Sequence, residues 1–352
     1  MKERIHGGDW AASERVYGER PLDFSANVSP LGVPEGVREA IRAAAGEVDR
    51  YPDPVCRDLC EAIARHEGTK PEQVLCGSGA SDLLYRAVHA IRPRCALINA
   101  PCFGEYETAL ETVGCSLIRA PLDDAFRMNE GFLTLIDDNI DLIILCQPNN
   151  PSGVTIHPSL LHRIIAHSAG RHGATCHVLV DECFVDLLDD PEAYSVKRLL
   201  TEYPNLMLLR AFTKSYSLAG IRLGYALCSD QALLAGMRRA GPPWAVSQPA
   251  IASGLAALRE EDYIARVRTL VRTERPWLRE QLCALGLTVV PGEANFLLFR
   301  SETLLLAPLR KRGILLRGCA DFTGLDDTWY RAAVRTREDN ERLIAALREV
   351  LT

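Results

Sequence analysis

The chain predicts an α/β fold: a large domain with a mostly parallel central sheet sandwiched by helices, plus a smaller α/β C-terminal domain. Three observations carry that expectation. Short apolar runs, ALINAP (96–101), DLIILCQP (141–148), HVLVDE (177–182) and LMLLRAF (206–212), alternate with longer segments of helical period. Continuous apolar runs are the pattern of strands buried on both faces, and their alternation with helices is that of βαβ units. Polar residues with reactive side chains gather just after these runs, as functional groups do at the carboxyl ends of strands in open α/β sheets. Finally, GPPW (241–244) breaks the chain, and an amphipathic stretch over about 248–285 then leads to shorter strand-like pieces, ANFLLF (294–299) and GILLR (313–317).

The expected division is an N-terminal segment, 1–45, that contributes to the small domain and the active site, a large domain over 46–248 and a small domain over 249–352. With 352 residues, 47% of them hydrophobic, two cores can be filled. The last segment opens at Thr336, places Glu338 and Asp339 in its first turn, and aligns Leu343, Ile344, Leu347 and Leu351 on one face, as a capped terminal helix should.

Composition narrows the function. A net charge of -6 with no basic tract argues against nucleic acid as a partner. No window approaches the roughly 18 uninterrupted apolar residues of a membrane helix. The charged start MKERIHGGDW lacks the apolar centre of a signal peptide, so a cytoplasmic address is expected. The twelve cysteines form no CxxC pair and are expected as reduced, small core residues, with no metal site.

Four segments carry the chemistry. GSGASD (77–82) lies between the strand-like QVLC and the helical LLYRAVHAI. Gly77 and Gly79 allow close backbone approach, the amides of Gly79 and Ala80 open the helix, and Ser78 or Ser81 adds a hydroxyl, which together make an anion site. Taken alone, the same segment also reads as a tight turn without a ligand. CQPNNPSG (146–153) sets Asn149 and Asn150 in a proline-rich turn at a strand end. In VLVDECF (178–184), Asp181 ends a strand expected to be buried on both faces, where a carboxylate needs a cationic partner, either a salt bridge or a ligand nitrogen. In LRAFTKSYSLAGIRLGY (209–225), Lys214 follows an apolar strand with Arg222 close behind. Desolvation and a neighbouring cation such as Arg222 disfavour its ammonium and expose a nucleophilic amine.

One small molecule meets all these demands. Pyridoxal 5'-phosphate would place its phosphate on the GSGA turn with Thr213 and Arg222, its ring nitrogen on Asp181, its phenolic oxygen on Asn150 and its aldehyde on Lys214. S-G-A, N-N-P-S-G, D-E-x-F, T-K-S-Y and G-I-R-L-G-Y, in this order, resemble the fold-type I pyridoxal-phosphate enzymes of the class I/II aminotransferase group. The likeness runs over nearly the whole chain. It implies that fold, a homodimer, Phe103 stacked on the cofactor ring, and Tyr51 reaching the phosphate in the partner subunit. Ala211 stands where many relatives carry a phosphate-binding serine, and Phe184 where they carry a tyrosine to the phenolic oxygen, so those two contacts lack their usual donors.

HGGDW (6–10), LDFSANVSPLG (22–32), PGEANFLLFR (291–300), LLRGCADFTGL (315–325) and WYRAAVRT (329–336) narrow the likeness to the L-threonine-O-3-phosphate decarboxylases of cobalamin biosynthesis. By that resemblance the substrate is a small phosphorylated amino acid. His6 and Arg317 would hold its phosphate and Arg331 its α-carboxylate, with Asn27 and the Leu31–Gly32 backbone on the same side. Either Arg331 or Arg335 could instead be a surface ion-pair residue. The alternatives are O-phosphoserine as substrate, a histidinol-phosphate aminotransferase, and a non-catalytic pyridoxal-phosphate-binding regulator. The roughly 20 residues ahead of PLDFSANVSP are too few for the DNA-binding domain such a regulator carries.

Overall fold

The computed structural model describes residues 7–170 and 176–352. Its strands, in chain order, are β1 (Leu22–Asp23), β2 (Val74–Gly77), β3 (Cys95–Ala100), β4 (Ser116–Pro121), β5 (Leu142–Cys146), β6 (His177–Asp181) and β7 (Leu206–Ala211). They continue with β8 (Gly224–Cys228), β9 (Thr288–Val289), β10 (Phe296–Arg300), β11 (Ile314–Leu315), β12 (Arg317–Gly318) and β13 (Trp329–Ala333). Seven of them form the central sheet, in the order β2-β8-β7-β6-β5-β3-β4. β8 runs antiparallel to β2 and β7, and the remaining pairs are parallel. The carboxyl ends of β2, β5, β6 and β7 therefore lie along one edge, where β8 begins.

The apolar runs fill both faces of this sheet because side chains alternate along a strand. Ile143, Leu145, Val178, Val180, Leu206 and Leu208 enter the core on one face. Their neighbours Ile144, Leu179, Met207 and Leu209 enter the core on the other, against the Ala80–Ile91 helix. Nine of the twelve cysteines are buried and all are free thiols.

The second sheet, β12-β13-β10-β9, is backed by the helices Tyr263–Ala284 and Arg337–Leu351, with Leu278, Phe299, Tyr330, Leu343 and Leu347 in its core. Phe24 joins that core, carried there by the parallel pairing of β1 with β11. Thr336 caps the terminal helix by accepting from the Asp339 amide, as its sequence signature requires.

Two elements differ from expectation. GILLR does not form one strand: β11 pairs with β1 while β12 pairs with β13, and the step between them delivers Arg317 to the edge of the second sheet. The amphipathic stretch over 248–285 is two helices, Gln248–Ala257 and Tyr263–Ala284, separated by a turn in which the Arg259 amide donates to Ala256 and the Tyr263 amide to Glu260. The charged run REED (259–262) interrupts the apolar period at that turn, although the expectation carried one amphipathic stretch through it. The break lets Tyr263 reach back to the N-terminal segment, where its hydroxyl shares a 2.7 Å hydrogen bond with Ser29 and donates to the Gly32 carbonyl. Among the described residues no helix is long and apolar enough to cross a membrane.

Candidate active site

The strand ends open onto a cavity of about 280 Å³. Its floor is set by β6. Asp181 pairs in register with Cys146 of β5 and Leu209 of β7, and its carboxylate is held at both oxygens: Oδ1 accepts from the Cys183 amide at 3.0 Å and Oδ2 from the Tyr106 hydroxyl at 2.7 Å. β7 ends at Ala211, and one turn of helix, Phe212–Ser215, turns Lys214 into the same cavity.

Lys214 has no ion-pair partner among the described residues and lies 5.7 Å from the centre of the Phe184 ring. Burial, then the charge of Arg331, and to a lesser degree that of Arg222, bring its ammonium down from 10.5 to about 8. The chief neighbouring cation is thus Arg331, which comes from β13, rather than the Arg222 suggested by proximity in sequence.

The anion cradle forms where β2 meets the helix Ala80–Ile91. Gly79 has φ +89°, and a Cβ there would lie 2.8 Å from an Arg222 guanidinium nitrogen, so a side chain would displace the arginine. Ser78 and Gly79 shape this turn without lining the cavity, while Ala80, Ser81, Thr213 and Arg222 line it. The Ser78 amide is already taken by Asp82 at 2.8 Å. The Gly79 amide, expected to face the ligand, is likewise taken by the Gly77 carbonyl at 2.8 Å, which leaves the helix-start amides from Ala80 onward beside a guanidinium, a setting that suits a phosphate.

On the opposite side stand two buried arginines. Arg331 donates to Asn150 Oδ1 and, at 3.1 Å, to the Ser25 carbonyl; its Nε is buried without a partner, and burial pushes the group down to about 10, which keeps it cationic at neutral pH. Because Asn150 accepts from Arg331, its amide NH₂ remains as a donor. Arg317 donates to Asp321 at 2.8 Å and lies 5.0 Å over the Phe322 ring. Asn27 also lines the cavity, with its Oδ1 buried and unpaired. Orphaned polar atoms in a cavity that also exposes an amine, a carboxylate and an anion cradle fit a polar, phosphate-bearing ligand such as pyridoxal 5'-phosphate.

Of the residues singled out from sequence, Asn27, Ala80, Phe103, Asn150, Asp181, Thr213, Lys214, Arg222, Arg317 and Arg331 line this one cavity. Gly32 does not; it sits behind it against Tyr263. Arg335 lies outside, paired with Asp339 at 2.9 Å. Tyr51 is 80% exposed and packs on Trp244, ring centres 4.6 Å apart, and does not line its own chain's cavity. His6 lies outside the described residues. Sequence reading passed over Tyr106, although it stands in the same PCFGEY segment as Phe103, and it passed over Ser25 and Phe322. The three-residue spacing of Phe103 and Tyr106 was the available signal.

Sheet and cavity together define an α/β enzyme with a nucleophilic lysine beside a helix-terminus anion cradle. The chain belongs to the aminotransferase class I and II family, which it matches over residues 19–347. It is 36% identical to the threonine-phosphate decarboxylase of Salmonella typhimurium, over 99% of this chain and 96% of that protein. It is 32% identical to histidinol-phosphate aminotransferase 2 of Archaeoglobus fulgidus, over 94% and 93%. Among solved structures, the histidinol-phosphate aminotransferase of Sinorhizobium meliloti in complex with pyridoxal-5'-phosphate superposes with a TM-score of 0.87 at 26% identity, covering 99% of this chain and 95% of that one.

Proposed function

We propose that this protein is a pyridoxal-phosphate-dependent decarboxylase that converts L-threonine O-3-phosphate to (R)-1-amino-2-propanol O-2-phosphate and CO₂, for the nucleotide-loop linker of cobalamin. The observation that carries this reading is the pair of buried arginines, Arg317 and Arg331, lining the Lys214 cavity in addition to the Arg222 cradle. A cavity with two cationic stations beyond the cofactor's own suits a substrate with two anionic ends. The 36% identity to a threonine-phosphate decarboxylase over the full length supports it further.

The cofactor's phosphate is assigned to the cradle lined by Ala80, Thr213 and Arg222 and shaped by Ser78 and Gly79, its ring face to Phe103, its ring nitrogen to Asp181 and its phenolic oxygen to Asn150. The chemistry the bound group supplies is an electron sink for whichever α-carbon bond stands perpendicular to its ring. Everything else falls to the chain. Arg331 binds the α-carboxylate, while Arg317, with His6, anchors the phosphate and Asn27 lines the same side, and the two anchors fix which bond is perpendicular. Phe184 lines the cavity, backed by the buried Phe296 with ring centres 5.1 Å apart, and offers apolar surface that favours neutral CO₂ over a carboxylate. Lys214, poised near neutrality, then delivers a proton to the α-carbon.

The protein is assigned to the cytoplasm and to a homodimer in which Tyr51 serves the partner's phosphate cradle. The cavity is assigned to the junction of a large domain, 46–248, with a small domain, 249–352, and the N-terminal segment, 1–45. The purified protein should show a visible absorption band that borohydride removes, and should release CO₂ from O-phosphothreonine without 2-oxoglutarate. Amino transfer from histidinol phosphate to 2-oxoglutarate, with no CO₂ from O-phosphothreonine, would overturn the assignment. Comparing O-phosphothreonine with O-phosphoserine measures selection for one methyl group, worth about 1–3 kcal/mol in a pocket.

A further inference from the structure

We infer that Tyr106 is a positioning residue for the cofactor ring, fixing the carboxylate of Asp181 and the ring of Phe103 relative to each other. The inference rests on the cofactor reading above. Tyr106 lies in the helix Glu105–Glu111 and is 1% exposed. Its hydroxyl donates to Asp181 Oδ2 at 2.7 Å, while the backbone amide of Cys183 donates to Oδ1 at 3.0 Å. With one fixed donor on each oxygen, the plane of the carboxylate is set before any ligand arrives. The ring of Tyr106 meets the Phe103 ring edge-on, centres 5.5 Å apart at 86°. One side chain thus braces both the group assigned to the ring's nitrogen and the group assigned to its face.

The choice of a phenol has a chemical reason. A lysine, arginine or protonated histidine in this place would orient Asp181 equally well but would cancel its charge. A phenol orients through a neutral hydrogen bond and leaves the negative charge for a protonated ring nitrogen. Burial, followed by the charge of Asp181, holds the Tyr106 hydroxyl well above its ordinary value, so it stays a donor at every working pH. Its hydroxyl is committed to Asp181 Oδ2, so its effect is exerted through that residue.

The test is the set Tyr106→Phe, Asp181→Asn and the double variant, each freed of cofactor and titrated with pyridoxal 5'-phosphate, with absorbance recorded against pH. Tyr106→Phe keeps the buried ring and its contact with Phe103 and loses only the hydroxyl. It is expected to bind cofactor on the order of tenfold more weakly, to shift the pH midpoint of the visible band, and to lower kcat while leaving KM for the phosphorylated substrate near its original value. In the double variant the Tyr106 change should have no further effect on cofactor binding beyond that of Asp181→Asn, because neighbours acting through one another are not additive. If Tyr106→Phe binds cofactor as the unaltered protein does, with the same midpoint, or if the two changes add in full, the inference is overturned. If the unaltered protein takes up no pyridoxal 5'-phosphate, it is the functional reading that fails.

Discussion

Lys214 shows how a single residue is tuned by what surrounds it. At the ordinary value of 10.5 about one amine in three thousand would be neutral at pH 7; at about 8 it is about one in ten. That gain in nucleophile is matched by a loss in stability. The unfolded chain binds this proton more tightly than the folded one, so between pH 8 and 10.5 unfolding takes up protons and stability rises with pH, whereas below about 8 both states are protonated and the full cost is present. Cofactor-free protein should therefore gain up to about 3 kcal/mol from this group on going from pH 7 to above pH 10. Lys214→Met should lack that part of the gain and be the more stable of the two at pH 7. Urea unfolding of both proteins across this range measures it; parallel curves would refute the account.

At the level of elements, the strands next to the site are also tied together beneath it. Arg210, one residue before the end of β7, donates to Glu182 at 2.7 Å, to Asp186 at 2.9 Å and to Glu67 at 3.3 Å, and all but Asp186 are nearly fully buried. Ser215, next to Lys214, donates to the same Asp186 at 3.1 Å. Burial pushes the Glu182 carboxyl up despite Arg210, so the guanidinium is what makes this carboxylate tolerable inside the protein. Arg210→Met should cost about 3–5 kcal/mol, the effect of stranding buried charges, read as a lowered urea midpoint. The network also marks where sequence reading ends. β5, β6 and β7 were legible because continuous apolar runs have one interpretation at that length, and Asp181 and Lys214 because a charge closing such a run needs a reason. Arg210 broke the same kind of run and went unnoticed, since its partners lie 143, 28 and 24 residues away in the chain and no local pattern announces them. Tyr106 was hidden differently: on a short helix a tyrosine reads as ordinary core, and only the fold brings it to a residue 75 positions later.

For the molecule as a whole, the decisive feature is a residue that its own chain leaves unused. Tyr51 and Trp244 form an exposed aromatic pair, 80% and 43% accessible, with Val48 and Val55 exposed nearby, and none of the four lines the Lys214 cavity. In the proposed homodimer that pair meets the second copy, and each cradle is completed by the other subunit's Tyr51, as the symmetry of such an interface demands. This predicts complementation between two damaged proteins. Lys214→Ala abolishes its own site but still supplies Tyr51, while Tyr51→Ala supplies Lys214. If losing one charge-assisted hydrogen bond to phosphate lowers activity about tenfold, an equal mixture allowed to exchange subunits should reach about a quarter of normal activity, because half of the dimers are mixed and each holds one complete site. Were Tyr51 to act within its own chain, the mixture would stay at about a twentieth, since every subunit retaining Lys214 would lack its tyrosine. Activity measured before and after exchange, with sedimentation establishing the dimer, separates the two outcomes by about fivefold.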